Sequence, residues 1–449
     1  MVGFFLILIA FISLANVLSL WYNIGMRTPI KVFSKETGNA NNYRIPSLVR
    51  LDDGSLVASA DERFYTASDN PNRIEKVVRI STDNGITWGK QITAVATLGD
   101  DKQHSSAAID PATLYDDATN TIFMLYSFTP AGIGILNCGA GSGLVEGRQR
   151  VVKGLCNYVI DNGELTHRGK NIGIKVNDKG DLSIGGNIFT ATSPYKAYGT
   201  SYLMLTKSTD GGNTWSEPTC LDAMVKSNRM HFIGSGPANG IKIKEGKYAG
   251  RLVFPVYYGL TKWPMSLTCA VIWSDDNGKT WEIGATPEID GRFPKKNPWI
   301  IPDPLMTTES QVVELPGGDL AVFMRNHNKK RRILRAISKN GGASWEKPEF
   351  IEDLPHCICQ ITAIGFEYDG KYTIACINAS DTKKRVNGKL KISLDEGKTF
   401  PYSYTIAEGE FVYSSAVYLG NGEIAVLYED STKHEDIKFT VIDLKDVIK

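Results

Sequence analysis

The sequence predicts an all-β fold, specifically a six-bladed β-propeller with an inserted β-rich segment. Three observations lead to this prediction: a turn motif that recurs along the chain, glycine-marked hairpins between hydrophobic runs, and no stretch with sustained helical periodicity. We expect the propeller to occupy residues 27–449, with the insertion at about 131–190.

The recurring motif has the pattern S-x-D-x-G-x-T-W. Full copies begin at Ser81, Ser208 and Ser274, and two altered copies begin at Ser338 and Ser393, with Asn340 in place of Asp and Phe400 in place of Trp. An Asp at the start of a turn accepts hydrogen bonds from backbone amides two residues on, and Gly supplies the positive φ. Each copy therefore predicts a hairpin turn between two strands.

The spacing of the copies predicts how many residues each blade uses. From Ser208 onward, successive copies leave room for one four-stranded blade, which needs about 40 to 60 residues with its loops. The interval from Ser81 to Ser208 is about twice as long. We therefore expect one blade in that interval together with the inserted β-rich segment.

Composition excludes several classes of protein. Lys and Arg total 50 against 49 Asp and Glu, for a net charge of +1, so no nucleic-acid partner is expected. A small anionic substrate remains compatible, because a pocket needs only a few local cations. The seven cysteines have irregular spacing, and no metal, phosphate-loop or dinucleotide motif is present. We expect no metal, no cofactor and a monomer.

The N-terminus predicts export. Residues 4–20 are apolar except for Ser13, Asn16 and Ser19. This length lies between a signal-peptide core and a full membrane span. Residues 1–26 are thus expected to be a signal peptide or an N-terminal anchor, and the protein to be secreted or on the cell surface. Any membrane contact would be through that anchor.

Five ordered segments interleave with the turn motifs. They are Tyr43–Pro46, Glu309–Leu315 with Met324–Asn326, Lys384–Gly388, Phe411–Ser415 and Leu427–Glu429. Together these segments resemble the sialidase (neuraminidase) family, from about residue 30 to 445. The segments Gly186–Phe189, Phe232–Pro237 and Gly250–Pro255 are similar to those of large secreted bacterial sialidases that carry an insertion at the long interval.

The resemblance implies a carboxylate-binding triad of Arg44, Arg325 and Arg385. Sialic acid carries a carboxylate on its anomeric carbon, and guanidinium forks match a carboxylate in a bidentate manner. That carboxylate would repel an attacking Asp or Glu, whereas a phenol activated by a nearby base avoids the repulsion. The family match makes Tyr413 the nucleophile and Glu309 its base.

The same resemblance implies roles for four further residues. Asp69 is expected to be the general acid, with a pKa raised toward neutrality. Arg63 and Asp110 would contact the O4 region of the sugar, and Glu429 would hold Arg44 in orientation. Asp61 is interpreted as a strand-end residue. The candidates for the pocket of the N-acetyl methyl group are Tyr257, Tyr258, Trp263 and Trp299.

The expected activity is removal of terminal sialic acid from glycoproteins, glycolipids or oligosaccharides, with retention, through a tyrosyl-sialyl intermediate. A trans-sialidase or an intramolecular trans-sialidase would use the same site and stays an alternative, because acceptor choice depends on pocket shape and water access. A sialic-acid lectin would be expected to lack Tyr413 or Glu309, and both are present. One glycosylation sequon begins at Asn378.

Overall fold

The computed structural model describes residues 27–260, 266–287 and 306–449. The candidate residues Trp263 and Trp299 and the segment 1–26 lie outside these ranges. The first fifteen described strands in chain order are β1 (Ile30–Phe33), β2 (Asn42–Arg50), β3 (Leu56–Arg63), β4 (Ile74–Ser81), β5 (Ile92–Val95), β6 (Ala107–Asp116), β7 (Thr121–Thr129), β8 (Leu144–Val145), β9 (Arg148–Lys153), β10 (Cys156–Asp161), β11 (Glu164–His167), β12 (Lys170–Lys175), β13 (Lys196–Ala197), β14 (Tyr202–Ser208) and β15 (Thr219–Cys220).

The later strands complete the ring. They are β16 (Phe232–Ser235), β17 (Ala238–Asn239), β18 (Ile241–Lys242), β19 (Leu252–Gly259), β20 (Leu267–Ser274), β21 (Glu282–Ile283), β22 (Thr307–Glu314), β23 (Leu320–Asn326), β24 (Arg332–Ser338), β25 (Glu349–Pro355), β26 (Ile361–Tyr368), β27 (Lys371–Ala379), β28 (Val386–Ser393), β29 (Tyr402–Glu410), β30 (Ser414–Gly420), β31 (Glu423–Tyr428) and β32 (Ile437–Asp443). The helices are α1 (Asp222–Val225) and two 3-10 turns, Gly246–Tyr248 and Leu444–Asp446.

The strands form six antiparallel blades, which confirms the predicted fold. Blade 1 is β2 to β5, blade 2 is β6, β7, β14 and β15, and blade 3 is β16 and β18 to β21, while the short β17 pairs in parallel with β6. Blades 4 and 5 are β22 to β25 and β26 to β29. In blade 6 the N-terminal β1 pairs with β32, outside β31 and β30, so the two ends of the described chain share one sheet.

The hydrophobic core lies between blades rather than within one layer. Each strand face that packs on a neighbouring blade is apolar, as between blades 6 and 1, where Phe33 and Leu48 join Leu427 and Phe439. Equivalent clusters fill the other five junctions. Both faces of each blade are buried, which explains the long apolar runs of the strands. Each Å² of apolar surface removed from water stabilises the fold by about 25 cal/mol.

The recurring motifs form the turns that the sequence predicts. In the first copy the Gly85 amide donates to Ser81 Oγ at 2.9 Å, and the Thr87 amide donates to Asp83 Oδ1 at 2.9 Å. The altered copy that begins at Ser338 keeps this geometry, because the Ser344 amide donates to Asn340 Oδ1 at 2.8 Å. All five turns join the third and fourth strands of a blade. The loops that join the second and third strands lie at the other end of the propeller. We call that other end the mouth.

A separate sheet of β8 to β13 lies between β7 and β14. Its members cover residues 144–197, within the interval that lacks a turn motif. The sheet has its own small core, which includes Val151, Leu165, Val176 and Tyr195. Over the described ranges, no helix has the length and apolar character to cross a membrane.

Candidate active site

The innermost strands of three blades are irregular at the mouth. Their pairing with the second strand shifts register between Arg44 and Ser47, between Ile109 and Ala112, and between Thr307 and Ser310. Ile45 and Asp110 have positive φ values of 58° and 62°, which is rare for residues other than glycine. Bulges of this kind turn side chains away from the regular alternation. Here they turn Arg44, Asp110 and Glu309 toward the propeller axis.

Tyr413 and Glu309 form a close hydrogen-bonded pair. The Tyr413 hydroxyl donates to Glu309 Oε1 at 2.5 Å. Arg325 Nη1 donates to the same hydroxyl oxygen at 2.9 Å and also to Glu309 Oε2. Burial, and then the charge of Glu309, raises the pKa of Tyr413 well above its ordinary value. The phenol is therefore protonated at neutral pH and hydrogen-bonded to a carboxylate that can accept its proton.

Three guanidinium groups surround this phenol. Arg44 Cζ lies 5.3 Å and Arg385 Cζ lies 5.7 Å from the centre of the Tyr413 ring, and Arg325 contacts the hydroxyl. They come from blades 1, 5 and 4 respectively. Within the described residues, Arg44 Nη2 and Arg325 Nε are buried and have no hydrogen-bond partner. Buried cationic donors without partners are costly unless an anion completes them, so the cluster suits a carboxylate ligand.

Glu429 fixes the orientation of Arg44. Its fully buried carboxylate accepts from the Ile45 amide at 2.7 Å, and Arg44 Nε lies 3.4 Å from Oε2. His434 Nδ1 lies 2.9 Å from the same oxygen. Burial alone would raise the pKa of Glu429, but Arg44 and His434 outweigh it and lower the pKa to about 2. Glu429 is therefore a permanent anion behind the first arginine of the cluster.

Asp69 lies across the mouth, in the loop between β3 and β4. Its side chain is 69% exposed, and Oδ1 accepts from Arg63 Nη1 at 2.9 Å. The fully buried Asn72 holds this loop, because its side-chain amide donates to the carbonyls of Thr66 and Ser68 at 2.7 and 2.8 Å. The loop thus presents Asp69 to solvent at a defined position.

The predicted raised pKa of Asp69 is wrong for this structure. Desolvation favours a higher pKa, but the charges of Arg63 and Arg44 outweigh it, so the pKa of Asp69 is lowered. The carboxyl group with the raised pKa is Asp110, because it is buried and faces the negative charges of Asp61 and Asp69. Sequence position located the acidic loop, but only the packed structure reveals which carboxyl group pairs with Arg63.

Arg63 is fully buried, and its donors are used within the protein. Nε and Nη2 contact Asp61 Oδ2 at 3.2 and 2.8 Å, and Nη1 donates to the Ala67 carbonyl at 2.6 Å as well as to Asp69. Lys76 contacts the other oxygen of Asp61 and donates to the Ala108 carbonyl at 2.7 Å. Asp61, close to the end of β3, is therefore the anion that anchors two buried cations. No motif in the sequence indicates this role of Lys76.

A cavity of about 520 Å³ adjoins Asp69 and Asp110. Tyr257 and Phe232 form part of its wall, together with loop residues around Ile135. Of the predicted aromatic pocket residues in the described ranges, Tyr257 lines this cavity. Tyr258 packs instead in the core between blades 2 and 3, because adjacent residues of β19 point to opposite faces of the sheet.

The structure brings the predicted residues together in two adjacent groups. In the first group, four residues surround Tyr413, and they are Arg44, Glu309, Arg325 and Arg385. Glu429 lies behind Arg44. Arg63, Asp69 and Asp110 form the second group. Sequence reasoning missed Asn72, Lys76 and His434, which support these groups from loops and strands that carry no recognisable motif.

No group of three or more His, Cys, Asp or Glu within the described ranges has a geometry that could hold a metal ion. The sequon residue Asn378 of blade 5 is 1% exposed and donates to the Pro355 carbonyl of blade 4 at 2.8 Å. The folded chain therefore does not present Asn378 for glycosylation.

Comparisons with known proteins agree with this fold. The family model of the BNR repeat-like domain matches residues 187–426. The anhydrosialidase of Macrobdella decora is 25% identical over 93% of this chain, and a sialidase of Bacteroides fragilis is 28% identical over 92%. The chain spans 61% and 64% of the length of these two relatives.

Among solved structures, the intramolecular trans-sialidase from Ruminococcus gnavus has the same fold, with a TM-score of 0.78 and 24% identity. The alignment covers 93% of this chain and 97% of that one. The family match spans more than half of the chain, so the chain belongs to the family of BNR repeat-like domains. Its relatives across most of its length make it a member of the sialidase family.

Proposed function

We propose that the protein is an exo-α-sialidase that cleaves terminal sialic acid from glycoconjugates with retention of configuration. The observation that carries this proposal is the Tyr413–Glu309 pair, with its 2.5 Å hydrogen bond, inside a cluster of three arginines. The arginines suit the carboxylate of sialic acid, and the phenol is a nucleophile that this carboxylate does not repel. Sialidases are an established exception to the scheme of two catalytic carboxylates.

The first displacement forms a bond between Tyr413 Oη and the anomeric carbon. The phenolic proton passes to Glu309, which already accepts it in a hydrogen bond. The bond between the anomeric carbon and the leaving oxygen breaks, and that oxygen takes a proton from Asp69. Arg325, which contacts both Tyr413 and Glu309, stabilises the negative charge that develops on the phenolic oxygen.

The second displacement reverses these roles. A water molecule attacks the anomeric carbon, the Asp69 carboxylate takes a proton from that water, and Tyr413 leaves and regains its proton from Glu309. Two inversions give net retention. Glu429 acts behind this chemistry, because its contact with Arg44 holds one of the three carboxylate-binding groups.

Asp69 must be protonated before it can serve as the acid, and its contact with Arg63 favours the ionised form. We propose that a bound sugar separates the two side chains and excludes water from Asp69. Both effects raise the pKa of a carboxyl group. The 69% exposure of Asp69 leaves it free to move toward a substrate, while Asn72 keeps the loop in place.

The test is product formation from 3′-sialyllactose, followed by mass spectrometry, with wild type and Tyr413→Phe. The expected result is free sialic acid from wild type and a loss of at least about a thousandfold in kcat for the variant. Removing the hydroxyl leaves the Tyr413 ring between Arg44 and Arg385, so binding of the substrate should persist. Absence of product with 2,3-, 2,6- and 2,8-linked substrates would refute the proposal and favour a lectin.

The same assay decides between hydrolysis and transfer. An anhydro sugar would identify an intramolecular trans-sialidase, and a sialylated acceptor would identify a trans-sialidase. We propose hydrolysis as the principal reaction, because Asp69 lies on an exposed loop, where water can reach it once the leaving sugar has departed. The relatives include proteins named sialidase and one named anhydrosialidase, so the product has to be identified by its mass rather than by release of lactose alone.

We also propose that the protein is exported and acts as a monomer outside the cell or at its surface. The apolar run of residues 4–20 supports export. Fractionation of a tagged full-length chain would place it in the medium or with the membrane. Recovery from the cytoplasm would contradict this proposal, and light scattering would measure its oligomeric state.

A further inference from the structure

Six basic side chains lie on blades 4 and 5 at the mouth, beside the arginine cluster. We call this set the basic lip, and it consists of Lys329, Lys330, Arg331, Arg332, Lys383 and Lys384. Four of them follow Arg325 along the chain, three in the connection from β23 to β24 and Arg332 as the first residue of β24. The other two directly precede Arg385, in the connection from β27 to β28. Arg325 lies just before the first connection, and Arg385 lies at the end of the second. The lip therefore adjoins two of the three carboxylate-binding residues.

The lip carries more positive than negative charge. Glu352 pairs with Lys330 at 2.5 Å and lies 3.8 Å from Arg332, and Asp381 accepts from the backbone amides of Lys383 and Lys384 at 2.7 Å. In the part of the chain that the structure describes, no salt bridge involves the side chains of Lys329, Arg331, Lys383 or Lys384. Two carboxylates thus face six cations, in a protein with a net charge of only +1.

The positive potential of the lip merges with that of the arginine cluster. The positive charges of both Arg325 and Arg331 act on His327 and His356. Burial, and then these two charges, lowers the pKa of His327 to about 4 and that of His356 to about 3. The Arg331 carbonyl accepts from the His356 amide at 3.2 Å, which ties the lip to the loop beside Arg325.

The other side of the mouth combines acidic groups with their own cationic partners, Arg63 and Lys76. Blades 1 and 2 contribute Asp61, Asp69 and Asp110, which are close enough for the first two to raise the pKa of Asp110. A substrate whose first carboxylate lies in the arginine cluster therefore has acids on one side and the lip on the other. Arg63 and Lys76 offset most of the charge of these acids, whereas the lip has an excess of positive charge, so a second anionic group is favoured on the side of the lip.

We propose that the basic lip binds a second acidic group on the substrate, one sugar away from the bond that is cleaved. This inference rests on the proposed function and specifies its substrate class, which is oligosaccharides with an acidic penultimate residue. The acidic group is the carboxylate of a second sialic acid or a sulfate ester. A neutral lactose leaves the lip in contact with water, whereas an acidic sugar pairs with it.

The experiment compares wild type with a variant in which Lys329, Lys330, Lys383 and Lys384 are replaced by Gln. These side chains are exposed, so the replacements do not disturb the core. The measured quantity is kcat/KM for a 2,8-linked disialyl-lactose divided by kcat/KM for 3′-sialyllactose. The matched control replaces the exposed lysines at the opposite end of the propeller with Gln, and these are Lys90, Lys207, Lys279 and Lys398.

The ratio is expected to fall about threefold to tenfold in the lip variant, which is the effect of one or two exposed ion pairs, and to stay unchanged in the control. Added salt should lower the ratio in wild type and have a smaller effect in the lip variant. A sulfated sialyl-lactose, measured in parallel, shows whether sulfate serves as well as a carboxylate. An unchanged ratio, or an equal loss on both substrates, would overturn the proposal.

A binding measurement separates this proposal from the proposed activity. Calorimetric titration of Tyr413→Phe, with and without the four lip replacements, gives the Kd of each oligosaccharide whether or not wild type turns it over. Selective weakening of the diacidic ligand supports the lip even if no product forms. If the lip variant instead loses only binding to vesicles that contain anionic lipid, the lip is a membrane-contact surface and the proposal is wrong.

Discussion

Replacing Glu429 with Gln tests the electrostatic support of the site. The Glu429 carboxylate is fully buried and contacts Arg44, His434 and the Ile45 amide. Its pKa is lowered from the ordinary value of 4.5 to about 2, which corresponds to about 3 kcal/mol of stability at neutral pH. The side-chain amide of Gln keeps the shape but removes the charge that faces Arg44. We therefore expect the free energy of unfolding of Glu429→Gln to be about 3 kcal/mol lower than that of wild type at pH 7.

The pH dependence follows from the sign of this change. A carboxyl group with a lowered pKa in the folded state contributes its stability fully above the unfolded pKa, near 4.5. It loses that contribution as the pH falls toward the folded pKa of about 2. The difference in unfolding free energy between wild type and Glu429→Gln should thus be largest above pH 5 and shrink toward pH 2. Urea denaturation followed by tryptophan fluorescence measures this difference at each pH.

Glu423→Gln is the matched control. Glu423 pairs with Arg27 at 3.0 Å, but the two side chains are 34% and 41% exposed. An exposed pair of this kind contributes up to about 1 kcal/mol. A difference for Glu429→Gln that stays constant from pH 7 to pH 2, or that is no larger than the difference for Glu423→Gln, would refute the reasoning. A rise in KM for sialyl-lactose in Glu429→Gln would link the lost stability to the position of Arg44.

Two further substitutions test the catalytic and binding roles. Asp69→Asn should lower kcat/KM for 3′-sialyllactose by about 10² to 10⁴ and much less for a 4-methylumbelliferyl sialoside, whose leaving group needs no proton. Equal losses on the two substrates would contradict a role as acid. Arg385→Lys should raise KM about tenfold with a smaller change in kcat, because a single ammonium group cannot replace a guanidinium fork. An unchanged KM in steady-state kinetics would remove Arg385 from carboxylate binding.

The fold could be predicted from the sequence because the turn motif is local. Every hydrogen bond of the motif joins residues at most four positions apart, as between Ser81 and Gly85. Such a signal survives even where Asn340 replaces Asp, since the side-chain oxygen still accepts from the Ser344 amide. The spacing of the copies indicates one motif for each blade, whereas the closure of blade 6 by β1 is visible only in the structure.

The candidate site could be predicted only in part, because its supporting contacts are not local. Lys76 and Asp61 are paired by the register of β3 and β4, and His434 reaches Glu429 through a loop. The pKa of Asp69 depends on how Arg63 divides its donors between Asp61 and Asp69. No spacing along the chain indicates that division. The sequence therefore located the reactive groups better than it predicted their protonation states.

The distribution of charge across the mouth accounts for a tyrosine as the proposed nucleophile. Among the described residues, Glu429 pairs with Arg44 and Glu309 pairs with Arg325, so two carboxylates form ion pairs with the cluster of three guanidinium groups. A third carboxylate in place of Tyr413 would neutralise the cluster and compete with the carboxylate of the substrate for the same guanidinium groups. The neutral phenol leaves that positive charge available until the substrate has bound. It becomes an anion only as its proton moves to Glu309, so one residue serves both binding and attack.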